Sequence, residues 1–91
     1  MIYKNIKIRM QIFVKPSNII NSKTMVFSVD NMCTIYDVKQ KIMDKFGRYN
    51  CKYILMYRGN ILDDNMSLDH YNIDNNCSIG LLFSAITKTD N

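Results

Sequence analysis

Apolar and polar residues alternate along the start of the chain: Ile6, Ile8, Met10, Ile12 and Val14 share one parity, and Lys7, Arg9, Gln11, Phe13 and Lys15 the other. A period of two marks a β-strand with one buried face. Pro16-Ser17-Asn18 and Asn21-Ser22 interrupt it, and alternation resumes with Met25, Phe27 and Val29 inward and Thr24, Val26 and Ser28 outward. Two such runs joined by a short connection predict an antiparallel hairpin. Its loop carries Ile19 and Ile20, apolar residues where turn chemistry calls for none.

The period then changes. Ile35, Val38, Ile42 and Phe46 recur at spacings of three and four, the stripe of an amphipathic helix. Thr34 stands as N-cap with Asp37 in the acidic position of a capping box, and Gly47 supplies a left-handed stop. A helix is predicted over 34–46, its stripe packed on the hairpin. A short β-rich run follows, Tyr53-Ile54-Leu55-Met56-Tyr57, and then a turn at Arg58-Gly59-Asn60. Leu62, Leu68, Tyr71 and Ile73 lie scattered in an irregular stretch that closes the open end of a small core. Ser78 to Phe83 reads as a last strand, and Ser84 to Asn91 as a polar tail. A sheet with a single helix across one face satisfies this order, an α+β layer pair.

The residues themselves match a known pattern. Met10-Gln11-Ile12-Phe13-Val14-Lys15 is the opening hexapeptide of ubiquitin, and the match resumes at Lys23-Thr24. It runs through Thr34-Ile35, Val38-Lys39, Lys41-Ile42, Asp44-Lys45 and Gly47. Leu55, Gly59, Leu62, Asp64, Leu68 and Tyr71-Asn72-Ile73 fall on matching residues too, with His70 where ubiquitin has an aspartate. The chain thus resembles the ubiquitin family over residues 10–83. Residues 1–9 form an N-terminal extension continuing the first strand, and 84–91 the tail. The resemblance implies the β-grasp fold, a mixed sheet with one helix packed across one face.

Composition narrows the function. The 91 residues, 47% hydrophobic and 22% charged, hold one globular domain. No apolar run approaches a membrane span, and the charged start is unlike a signal peptide, so a cytoplasmic protein is expected, with the nucleus as a further location. Three cysteines at wide spacing and one histidine argue against a disulfide framework and a Cys/His zinc site, and with no Gly-rich phosphate loop or ligand cluster in the sequence no metal or other cofactor is expected. A net charge of +4 with a basic N-terminal third admits weak nucleic-acid binding, but solvated strand faces explain it better. Abundant Asn and Ile, with 3 Gly and 1 Pro, fit an AT-rich genome such as that of a parasite or a large DNA virus. Asp63, Asp64, Asp69 and His70 read as structural or solvated groups. No catalytic constellation is found, so neither an enzyme nor a small-molecule substrate is expected.

Departures from the family pattern shape the functional expectation. Ubiquitin is conjugated through a C-terminal Gly-Gly; at the matching place stand Thr87-Lys88, and no Gly-Gly occurs in the sequence. The two positions most used for chain building hold Asn60 and Asn75, while Lys15, Lys23, Lys39, Lys41 and Lys45 match ubiquitin lysines. The family's main recognition face maps onto Met56, Gly80 and Leu82, flanked by Ile54 and Gly59, with Ile19 in the loop that supplies its mobile residue. Alternation supports this independently: if Leu55 and Leu81 point inward, Ile54, Met56, Gly80 and Leu82 point outward. Gly80 replaces a histidine and Ile54 an arginine, which makes the patch more apolar and leaves little charge to screen.

The expectation is a non-conjugating module, a mimic that engages ubiquitin-interacting helices, proteasome components or ligase components through this face. The alternatives are the N-terminal ubiquitin-like domain of a longer adaptor, or a β-grasp oligomerisation or assembly protein. A monomer is expected, with a homodimer through the N-terminal extension as the other possibility. Ile6 and Ile8 would continue the buried parity past the core and need cover, from the Asp30–Thr34 connection or a second copy.

Overall fold

The computed structural model describes residues 7–17, 23–47 and 51–85. β1 (Arg9–Pro16) and β2 (Met25–Asp30) form the expected antiparallel hairpin, in register from Arg9↔Asp30 to Val14↔Met25. The helix α1 (Ile35–Phe46) follows, then β3 (Cys51–Tyr57), β4 (Asn60–Ile61), a 3-10 turn over Asp69–Tyr71 and β5 (Cys77–Ala85). The five strands lie in the order β2-β1-β5-β3-β4. β1 and β5 are parallel, and the other three neighbouring pairs are antiparallel. A mixed sheet with one helix on one face is the β-grasp architecture. No helix among the described residues is long and apolar enough to cross a membrane.

Local chemistry accounts for the helix. The Thr34 hydroxyl accepts the Asp37 N–H at 3.1 Å, and the Asp37 carboxylate accepts the Thr34 N–H at 3.2 Å, closing the capping box. Gly47 ends the helix at φ 67°, and its N–H donates to the Met43 carbonyl. Ile35, Val38 and Ile42 are fully buried against Ile12, Val14, Val29, Leu55, Ile79 and Leu81 of the sheet. Leu62, Leu68 and Ile73 close the open end of this core.

The structure departs from expectation at three places. Ile8 lies outside the strand and is 58% exposed. Its N–H donates to the Asn31 side chain and its carbonyl accepts the Asn31 N–H. Beyond Arg9 the partner strand has ended in the turn at Asn31-Met32, so no sheet remains to bury the side chain; Ile6 lies outside the described residues. A further strand, β4, occurs where an irregular stretch was expected. Arg58 (φ 53°) and Gly59 (φ 81°) form a two-residue hairpin turn that pairs Tyr57 with Asn60 and Met56 with Ile61. Finally, Ser84 and Ala85, expected in the tail, pair with Lys52 and Cys51 in the sheet.

Candidate functional site

The core takes alternate residues of β3 and β5: Tyr53 and Leu55 on one strand, Ile79, Leu81 and Phe83 on the other. The intervening residues face away from the helix. The antiparallel register places Ile54 beside Leu82 and Met56 beside Gly80. Each of these four is partly exposed. Gly59 is exposed in the adjoining turn, and Ile19 lies outside the described residues.

Two neighbours of this cluster escape the linear pattern. Ile61 pairs with Met56 across β3 and β4, shares its face and is 68% exposed. The signal for it lay in the Arg58-Gly59 turn, because a two-residue hairpin fixes the partner of Met56 five residues on. Lys15 pairs with Gly80 across the parallel β1–β5 contact. One row across the sheet therefore reads Lys15, Gly80, Met56, Ile61, with Leu82 and Ile54 in the next row. Lys15 and Lys52 are exposed, so the outer face carries more basic charge than expected. A second apolar pair, Phe13 and Val26, lies nearer the other edge, with Val26 48% exposed.

Gly80 leaves a gap in this surface. A Cβ built there would meet only the Met56 carbonyl oxygen, at 3.7 Å, an ordinary contact. A side chain is therefore sterically admissible, and its absence leaves the row between Lys15 and Met56 shallow.

The acidic residues around Tyr71 are held in structural contacts. The Tyr71 hydroxyl accepts the Asp63 N–H at 2.8 Å, Asp63 in turn accepts the Asn65 N–H, and Asp64 pairs with Lys39 at 2.6 Å. His70 packs edge-on against Tyr71, with ring centroids 4.9 Å apart. Asn75, at a family chain-building position, accepts the Gln11 N–H at 2.8 Å, and the Asn76 N–H donates to the Gln11 carbonyl at 2.7 Å.

The sequence profile of the ubiquitin family matches residues 12–86. The chain belongs to the ubiquitin family. The matched residues take in β2 to β5, the helix and all of β1 beyond Gln11, and a mixed five-stranded sheet with one helix is consistent with the family's β-grasp fold. Ubiquitin-family domains typically serve as modifiers or binding domains.

Proposed function

We propose that this ubiquitin-family chain is a non-conjugating binding module, which engages amphipathic helices of ubiquitin-pathway proteins through its outer sheet face, as a monomer in the cytoplasm or nucleus. The observation that carries the reading is the contiguous apolar row of the partly exposed Met56 and the exposed Ile61, joined by the partly exposed Ile54 and Leu82. Contiguous apolar patches on a protein surface mark interaction sites, which supports this reading. Methionine at its centre adapts to more than one partner. A helix laid on it would gain roughly 25 cal/mol for each Å² of apolar surface covered. Lys15 and Lys52 at the margins favour a helix with acidic residues at its edges. The replacement of the family's Gly-Gly by Thr87-Lys88 supports a role without covalent attachment.

The test is an NMR titration with a peptide helix that binds ubiquitin. Amide shifts are expected at Ile54, Met56, Ile61 and Leu82. Met56→Asp should weaken binding at least about tenfold, because a buried, unpaired carboxylate opposes docking. Raised salt should weaken it only modestly, since two lysines are screened while apolar burial persists. Gly80→His should leave the fold intact and strengthen binding to partners that stack on an imidazole. Shifts confined to the Lys39–Lys45 face of the helix would refute the reading.

A further inference from the structure

Gly80 stands in the middle of the sheet, with Lys15 of β1 on one side and Met56 of β3 on the other. Glycine is a poor strand residue in such a place, because its backbone loses more freedom and it offers its neighbours no side chain. Backbone geometry does not require it, since its φ is outside the left-handed region. Packing does not require it either. Apart from Ile79 and Leu81, the only heavy atom within 4 Å of an added Cβ is the Met56 carbonyl oxygen, at 3.7 Å. No side chain from β1 or β3 leans over the glycine, so the gap stays open. A glycine without a local reason inside a strand marks a place where another group approaches closely.

The width of the gap and its walls define that group. Neighbouring strands are about 4.8 Å apart, so Lys15 and Met56 rise from strands separated by roughly 9.6 Å. One flat ring fits between them, in contact at about 3.5–4.0 Å on each side. A helix, about 10 Å across, is too wide to descend there, and only a single side chain of it can enter. Lys15 is exposed and makes no ion pair among the described residues, so its ammonium is available to the face of an aromatic ring. Met56 brings a thioether, which also attracts aromatic rings. An aliphatic side chain would meet neither attraction, and a carboxylate would answer Lys15 while facing the apolar Met56.

We propose that the gap over Gly80, between Lys15 and Met56, is a slot for one aromatic side chain of the partner helix, tryptophan above all. The slot then selects among helices that would otherwise lie alike on the outer face. This rests on the binding role proposed above and names the side chain that role calls for. Buried aromatic anchors of this kind carry much of the energy of an interface. Acidic residues at the margin of the same helix answer the exposed Lys52. Tyr36, 53% exposed, is a ring that a second copy could offer, but like net charges of +4 oppose that contact.

The probes are synthetic amphipathic helices of about sixteen residues, identical except for tryptophan, leucine or alanine at the centre of the apolar face. Titrated into labelled protein, the tryptophan helix should bind at least about tenfold more tightly than the alanine helix, with leucine between them. Its indole ring current should move the Gly80 α-protons and the Met56 methyl upfield, with ring contacts to the Lys15 side chain. Gly80→Val, whose Cβ the sheet admits, should bring the tryptophan and alanine helices to within about twofold of each other. Lys15→Gln should weaken the tryptophan helix more than the leucine helix. Equal binding of all three at the Met56 face, indole contacts elsewhere on the sheet, or an unchanged preference in Gly80→Val would each overturn the slot and leave the wider binding role standing. No shifts with any helix at millimolar concentration would overturn both. Concentration-dependent shifts of Tyr36 and Gly80 without peptide would give the slot to a second copy and overturn the proposal likewise.

Discussion

Tyr57 illustrates how one contact sets a local response to pH. Its hydroxyl lies 3.2 Å from the Cys77 sulfur, which also accepts the Asp74 N–H at 3.3 Å. The hydrogen bond to Cys77, then burial, push the phenol above its ordinary value, and Arg58, 5.3 Å from the ring centre, pulls weakly the other way. A raised value means that the folded protein holds the proton more tightly than the unfolded chain. The associated stability is complete below the unfolded phenol's value, about 10, and is lost as pH rises through the folded value. Urea midpoints measured from pH 9 to 11 should therefore fall more steeply for the wild type than for Tyr57→Phe. Asn75 carries a comparable single-residue duty. Its bond to Gln11 ties the turn before β5 to β1, so Asn75→Ala should cost about 1 kcal/mol in urea unfolding.

At the scale of elements, the helix is the part written most locally. Thr34 and Asp37 exchange two bonds at its start, and Ile35 lies beside a further tie, with its N–H donating to the Met66 carbonyl at 2.9 Å. Thr34→Ala should cost about 1 kcal/mol, read as a lower urea midpoint with unchanged slope. Such local signals made the helix bounds, the hairpin and the outward parity of Ile54, Met56, Gly80 and Leu82 legible from residue order. What was not legible depends on partners distant in the chain. The start of β1 is set by where β2 ends, so alternation alone carried the strand through Ile8 wrongly. Lys15 reaches the site through the parallel β1–β5 register, and no short-range pattern encodes which strand lies beside which. Ile61 is intermediate: its turn was read, and the pairing which that turn imposes was not.

The whole molecule rests on a single core to which the helix, the four longer strands and the 62–73 segment all contribute. Ile42 on the helix and Leu55 on the sheet are both fully buried. Ile42→Ala and Leu55→Ala should each cost about 2–5 kcal/mol. In both variants helical circular dichroism and tyrosine fluorescence should report one coincident transition, since neither layer keeps a core without the other. The parallel pairing of β1 with β5 has a mechanical consequence. The chain enters β1 at one end of this pair and leaves β5 at the opposite end, so tension drawn along the backbone slides the two strands past each other. Their hydrogen bonds are then loaded together and must break as a group, whereas a hairpin pulled from its open end parts one bond at a time. A motor that threads this domain from either side meets its stiffest clamp first, and the hairpin and helix come apart only after that clamp has given way.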